Sequence, residues 1–305
     1  MSGPLMRSLL FLPGNREKFL EKAPALDADG FIFDFEDSVP VAEKAAARKN
    51  LAAYAPALRG KSIWIRPNAP DTPHFRDDLA TICKTPGVSG LLLPKAETVA
   101  ALREVDDAIG AEERAAGLSL GALRIILTIE SALGVMRSFD LLTAIDRTES
   151  LCFGGARDGD LMTDLGCGWS NQGGTLEHAR AHTLIAARAA CCRAPLDGVF
   201  ADVKDQAGFE QDTRLSRLLG YRGRTLIHPS QIEPANRLYS PASGEIAESR
   251  RLIEAFDEAV AKGHASVLFE GRMIDVAMAK AARNVIAWAE TQRQTNKVQN
   301  RNGRS

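Results

Sequence analysis

Cysteine is sparse: 305 residues carry five, Cys83, Cys152, Cys167, Cys191 and Cys192. The number is odd, two are adjacent and no C-x-x-C pair occurs, which argues against a disulfide framework or a zinc knuckle. Reduced thiols in a cytoplasmic protein are the expectation. Net charge is missing too, since 38 basic and 39 acidic side chains leave a formal charge of -1. No overall field draws the chain to nucleic acid or to an anionic membrane, so any anionic ligand has to be held locally. The apolar run near the start, residues 9–12, meets Pro13 and Gly14 at once and is too short for a signal peptide or a membrane span. No Pro/Gly/Ser-rich linker divides the chain, and no G-x-G-x-x-G follows an apolar run, so the dinucleotide-binding fingerprint is absent.

What is present is ordinary globular material, 45% hydrophobic and 25% charged, enough for one large α/β domain or two small ones. Eight short apolar runs recur: RSLLFL (7–12), GFIFDF (30–35), SIWIR (62–66), GLLLP (90–94), RIILTI (124–129), SLCFG (150–154), DGVFA (197–201) and RTLIH (224–228). Each is nearly continuous rather than alternating, as in parallel strands buried on both faces. Segments of helical composition separate them, at 17–26, 41–58, 75–84, 99–116, 133–146, 176–193 and 208–219. Strand then helix, repeated to the eighth strand, predicts a (β/α)8 TIM barrel over 1–240 in preference to a doubly wound sheet. Beyond it, residues 241–290 predict a C-terminal helical extension: a helix at 249–262, an extended piece at 264–270 and a helix at 273–289. The stretch 291–305 has almost no apolar residue and predicts a disordered tail.

In such a barrel chemistry gathers where strands end. The ends carry Arg16, then Glu36 and Asp37, Arg66 and Asn68, Lys95, Glu130, Arg157 with Asp158 and Asp160, Asp202 with Lys204, and His228. Charges after strands often only cap the next helix, but polarity at all eight ends predicts a functional rim. Glu130, Asp158 and Asp160 lack nearby Cys or His and suit a hard divalent cation such as Mg2+. Arg66 offers a planar fork for a carboxylate or thioester oxygen, or else a structural ion pair with Glu36 or Asp37. Glu36 and Asp37 stand with Arg66 among the catalytic candidates. His178 and His182 have zinc-site spacing but no H-E-x-x-H, and the glycine-rich GCGWSNQGGT at 166–175 lacks the Lys-Ser/Thr of a P-loop, leaving an active-site loop or a connector.

The motifs RSLLFLPGNREKFLEKA, GFIFDFEDSVPVAEKAAAR, WIRPN, LLLPKAE, IESALGV, DLMTDLG and TLIHPSQIEPAN, in order over about 7–240, resemble the citrate lyase β-subunit-like family of the HpcH/HpaI aldolase superfamily. EGRMIDVAMAKAA resembles the family's C-terminal helix start. The resemblance implies a Mg2+-dependent lyase making or breaking a carbon–carbon bond in a hydroxyacyl-CoA thioester, from an acyl-CoA and a 2-oxo acid. It implies Glu130 and one following aspartate as metal ligands, Arg66 at the reacting carbonyl, and Arg16 and Lys18 near the phosphates of coenzyme A; Lys95 is counted with these two. Asp275 matches an acid/base aspartate on a lid that reaches a neighbouring subunit, implying a homotrimer or a dimer of trimers. FGGARDGDL is longer here than in the family, leaving Asp158 and Asp160 as rivals, with the D-L-x-x-D-L-G register favouring Asp160. Ala277 stands where the family tends to have proline. Two rivals keep the metal but change the substrate: an aldolase acting on free hydroxy acids, and a citrate lyase β subunit working with an acyl carrier protein. A third, a non-catalytic binding protein, fits poorly with intact Glu130, Arg66 and Asp275.

Overall fold

The computed structural model describes residues 5–170 and 174–302, with side chains as far as residue 293. Eight parallel strands close into a barrel: β1 (Ser8–Pro13), β2 (Gly30–Asp34), β3 (Ser62–Arg66), β4 (Gly90–Leu93), β5 (Arg124–Ile129), β6 (Thr148–Phe153), β7 (Leu196–Asp197) and β8 (Gly223–Leu226). Closure runs through Leu9 against Thr225 on one side and Leu9 against Gly30 on the other. A Cβ on Gly223 would lie 1.8 Å from the Met6 carbonyl oxygen, so β8 can close on the chain entering β1 only with glycine there. The helices are α1 (Glu17–Lys22), α2 (Lys44–Tyr54), α3 (Phe75–Lys84), α4 (Val99–Ala115), α5 (Ala132–Met136), α6 (Ser138–Thr143), α7 (Asp160–Leu165), α8 (Glu177–Ala189), α9 (Gln206–Leu219) and α10 (Ile232–Leu238).

The unbroken apolar runs follow from burial on both faces. In β2, Ile32 joins Leu9, Trp64, Leu92, Ile126, Cys152 and Leu196 inside the barrel, while Phe31 and Phe33 pack outward with the helices. Each such side chain contributes roughly 1.5–3 kcal/mol by leaving water.

Three sequence expectations change. The seventh run, expected over 197–201, forms only the two-residue β7. Past it, the Gly198 carbonyl accepts from Arg224 Nε and Nη2 at 3.2 and 2.8 Å, and the Phe200 carbonyl accepts from Gln231 Nε2 at 3.0 Å. Side chains have taken carbonyls that a longer ladder would use. The helix expected over 133–146 breaks into α5 and α6 at Arg137, where the Ser138 hydroxyl donates back to the carbonyls of Gly134 and Val135. The tail expected to lack structure continues a helix to Asn302, a stretch free of proline and glycine up to that point.

The chain divides into two compact units, Met6–Tyr239 and a smaller one beginning at Ser240. The smaller unit contains α11 (Ser243–Ala261), an antiparallel hairpin of β9 (Val267–Phe269) and β10 (Arg272–Ile274), and α12 (Val276–Asn302). Its core is Phe256, Ile274 and Ala279 with Leu252, Val267 and Phe269. Glu270 and Gly271, at φ of 46° and 80°, make the two-residue turn a twisted hairpin needs. Among the described residues no helix is long and apolar enough to cross a membrane.

A buried charge cluster stands where β7 is short. Arg180 pairs with Asp197 and, at 2.8 Å, with Asp212, while Arg224 reaches Asp212 at 2.9 Å. Removing one partner strands the others without water. Arg180→Ala is therefore expected to lower the urea unfolding free energy by about 3–5 kcal/mol; a change below about 1 kcal/mol would contradict this account.

Candidate active site

The C-terminal ends of the strands surround a cavity of about 200 Å³ lined by Phe11, Arg66, Thr128, Glu130, Cys152, Asp160 and neighbours. On one side β2 ends in Asp34, which is buried, and β3 ends in Arg66 beside it. Arg66 Nε and Nη2 donate to the two oxygens of Asp34, each at 2.8 Å, a bidentate fork that sets the guanidinium plane. The Asp34 carboxylate also accepts from the backbone N–H groups of Glu36 and Ser38. Arg66 Nη1 lies 3.2 Å from Glu36 Oε2 and 3.1 Å from Asp37 Oδ2, and the Phe11 ring lies 5.1 Å from the guanidinium carbon. Arg66 is therefore ion-paired to both carboxylates, and it also lines the cavity.

On the other side stands Glu130, just past β5. A Cβ on Gly154 would lie 2.4 Å from the Glu130 Cβ, so the exit of β6 passes this close only because residue 154 is glycine. Lys95, in the left-handed region at φ 52°, turns its N–H onto Glu130 Oε1 at 2.8 Å and its ammonium toward Asp160 Oδ2 at 3.3 Å. It thus bridges the two carboxylates expected to bind metal. Asp160 begins α7 and lines the cavity; Asp158, exposed and left-handed at φ 58°, pairs with Arg157 at 3.5 Å and is not among the cavity's lining residues.

Charge and burial oppose each other here. Burial works to raise the Asp34 carboxyl, but the Arg66 hydrogen bonds and charge outweigh it and hold it below its usual range. Burial likewise disfavours the Arg66 charge, and Asp34, Glu36 and Asp37 more than offset it. Glu36 is pushed up to about 7, first by burial and then by the charges of Asp37, Glu130 and Asp34, with Arg66 opposing. Glu130 is also raised, mainly by burial, despite the Lys95 N–H.

Among the described residues no group of three His, Cys, Asp or Glu stands ready to hold a metal. Glu130 and Asp160 nonetheless fit a magnesium ion, which is commonly held by one or two carboxylates with waters and substrate oxygens completing six positions. Burial raises the carboxyls of Glu36 and Glu130, and a divalent cation bound beside them would favour their charged forms.

The family model for HpcH/HpaI aldolase/citrate lyase matches residues 7–229. The chain belongs to this family of lyases. The citrate lyase subunit beta of Leuconostoc mesenteroides subsp. cremoris is 34% identical over 287 residues, 93% of each chain. An L-malyl-CoA/beta-methylmalyl-CoA lyase of Cereibacter sphaeroides is 32% identical over 304 residues, 93% of this chain and 94% of its own. The crystal structure of CitE from Mycobacterium tuberculosis, in complex with magnesium, acetoacetate and coenzyme A, has a TM-score of 0.75 at 29% identity, covering 95% of this chain and 98% of that one.

The remaining candidates are dispersed. Arg16 and Lys18 are exposed where β1 leads into α1. Asp275 caps α12 in the smaller unit, its Oδ1 accepting from the N–H groups of Ala277 and Met278 at 2.9 and 3.1 Å. His228 caps the turn after β8, its Nδ1 accepting from Ser230 N–H. His178 and His182 have ring centroids 6.1 Å apart, and no third ligand joins them among the described residues. Of the glycine-rich stretch, Gly166 ends α7 in the left-handed region, and residues 171–173 lie outside the described residues. Sequence reasoning missed Asp34, whose signal was a charged residue ending an otherwise apolar strand. It also missed Asp164, whose carboxylate accepts from Ala132 N–H at 2.7 Å and ties α7 to the start of α5.

Because the folded-state value for Glu36 lies above its ordinary 4.5, the protein binds this proton more tightly when folded. Its contribution to stability is present below pH 4.5 and is lost as pH rises through about 7. Glu36→Gln removes the titration. In metal-free buffer the Tm advantage of Glu36→Gln over the parent is expected to grow from pH 5 to pH 8; a difference independent of pH would contradict the assignment.

Proposed function

We propose that the chain is a cytoplasmic, Mg2+-dependent lyase that cleaves or forms a carbon–carbon bond in a hydroxyacyl-CoA thioester, exchanging it with an acyl-CoA and a 2-oxo acid. The observation that carries this reading is one cavity with Arg66, held by buried Asp34, on one side and Glu130 with Asp160 on the other. Family membership and the magnesium- and coenzyme-A-containing relative support it.

Glu130 and Asp160 would hold the ion, with Asp158 the poorer candidate because it faces solvent. When bound, Mg2+ supplies a Lewis acid for the oxygens of the oxo-acid half. In the cleavage direction the hydroxyl next to the breaking bond would give its proton to the acid/base carboxylate of Asp275, the bond's electron pair passes to the thioester as an enolate, and that proton is then returned to the enolate carbon. Arg66 stabilises the enolate oxygen, already oriented by Asp34 and so needing little reorganisation. Glu36 and Asp37 share its Nη1 and keep the guanidinium at the rim. Arg16 and Lys18 meet the phosphates of coenzyme A, and Lys95, once the ion takes over neutralisation of Asp160, is free to turn toward the same anionic ligand.

Asp275 supplies the proton to carbon, delivered to a neighbouring copy in a homotrimer or a dimer of trimers. Leu268, Met273, Val276 and Met278 in its unit expose apolar surface, with Leu268 at 71%, that such an assembly would cover. A second reading, a β subunit acting on a thioester of an acyl carrier protein, is favoured by the relatives named citrate lyase subunit beta. Turnover of the carrier thioester with none of the CoA ester would select it.

Two tests follow. Glu130→Gln and Asp160→Asn should each lower kcat/KM for Mg2+-dependent cleavage of a hydroxyacyl-CoA at least about a hundredfold while unfolding as the parent does, and Asp158→Asn should do less. Equal losses for the two aspartates would remove the preference for Asp160. Asp275→Asn and Arg66→Ala, each inactive alone, should recover part of the activity when mixed under verified subunit exchange, since some sites then pair an intact barrel with an intact Asp275. Continued inactivity would exclude a site shared between copies.

A further inference from the structure

Below the rim the floor of the cavity is formed by Phe11, Leu92, Thr128, Cys152 and Thr225. Most of the barrel interior is hydrocarbon, so the two threonines need an account. Thr225 has one: its hydroxyl lies 3.5 Å from the Asp197 carbonyl and 3.8 Å from Cys152 Sγ, and that sulfur also reaches the Asp197 carbonyl. Thr128 has none. Its hydroxyl is buried without a hydrogen-bond partner, and of the described side chains in that condition it alone belongs to a residue lining this cavity. A buried hydroxyl left unpaired costs stability that valine, of the same shape, would not.

Thr128 faces the same side of β5 as Glu130, two residues deeper, which is about 7 Å along a strand. Glu130 and Thr128 line the same cavity, so a small acid gripped at the level of Glu130 has room to extend a short arm toward Thr128. Among the described residues no Lys or Arg lines the floor at this depth; Arg66 lies at the rim, so the floor offers a hydrogen bond but no countercharge. A neutral oxygen suits it better than either a hydrocarbon or a carboxylate.

We propose that Thr128 is a specificity-determining residue whose hydroxyl hydrogen-bonds a neutral oxygen, such as a hydroxyl, on the short arm of the acid half of the substrate. The hydroxyl is buried as it stands, so this contact requires a rotation about χ1 that brings it to the cavity. This rests on the acid-binding reading above. Discrimination of this kind is strong because a site built for a substrate oxygen is left with an unpaired group by the analogue that lacks it.

The test uses the whole protein with Mg2+ and two 2-oxo acids of nearly equal shape, 3-hydroxypyruvate and 2-oxobutyrate, which differ by a hydroxyl in place of a methyl. Binding is read by calorimetry. The parent should prefer 3-hydroxypyruvate by about tenfold or more. Thr128→Val should abolish the preference and, without ligand, melt at or above the parent temperature, whereas Thr128→Ser should retain the preference. A role confined to packing would leave the ratio unchanged in the valine variant, and that result overturns the proposal. So does a parent that binds both acids equally, as it would if only a water met Thr128, or one that prefers oxaloacetate to both, which would mean the arm is anionic. Binding of none of these acids overturns the acid-binding reading together with this one, so the two failures are distinguishable.

Discussion

Closure of the sheet between β8 and β1 is the constraint on which the site depends. An open sheet of the same strands would leave the ends of β2 and β3 on one flank and those of β5 and β6 on another. Once Leu9 pairs with both Gly30 and Thr225, all parallel strands point their C-terminal ends at one rim, and Arg66 faces Glu130 across a single cavity. The barrel is weakest in backbone terms one strand away from that seam, where β7 contributes two residues between β6 and β8. The cluster of Arg180, Asp197, Asp212 and Arg224 supplies what the ladder lacks: Arg224 grips the Gly198 carbonyl and Asp197 accepts from the Gly198 N–H. Gly198 lines the cavity, so a structural ion cluster also shapes the site.

The rim illustrates how one environment drives like groups in opposite directions. Asp34 and Glu36 are two residues apart, the first buried and the second half-buried, yet Asp34 is held below its ordinary range and Glu36 is pushed up to about 7. The difference is the number and geometry of donors. Asp34 takes both arms of the guanidinium and two backbone N–H groups, whereas Glu36 shares one nitrogen of Arg66 with Asp37 and feels the charges of its acidic neighbours. Lys95 adds a backbone cost of about 1–2 kcal/mol for its left-handed conformation, which is offset by placing its N–H on Glu130 and its ammonium near Asp160. Strain, raised carboxyls and an unpaired Thr128 hydroxyl collect in one place, the usual mark of a site shaped for a ligand rather than for stability.

Much of this was legible beforehand for a physical reason. A strand buried on both faces must be apolar nearly throughout, so the eight runs identified themselves, and their polar ends marked the rim. Helices between them were legible from composition, but their breaks were not. The Ser138 hydroxyl ends α5 by competing for carbonyls, a local choice that the amphipathic pattern of 133–146 does not reveal. Asp34 read as one more residue of GFIFDF, since nothing in the run tells that a guanidinium from the next strand will be waiting for it.

The sequence by itself determined that the chain would be a closed parallel barrel with a smaller C-terminal unit, and that Glu130, Arg66 and the aspartates after the sixth run would stand at strand ends. Those properties follow from hydrophobic period, strand order and motif, which are local or additive along the chain. Only the tertiary structure decided that Asp160 rather than Asp158 lines the cavity, that Lys95 bridges carboxylates, that Asp34 steers Arg66, and that Thr128 is left without a partner. Each of these depends on residues far apart in the sequence, carried by strand ends and the loops and helices that follow them, and such neighbourhoods exist only after closure has gathered those segments at one rim.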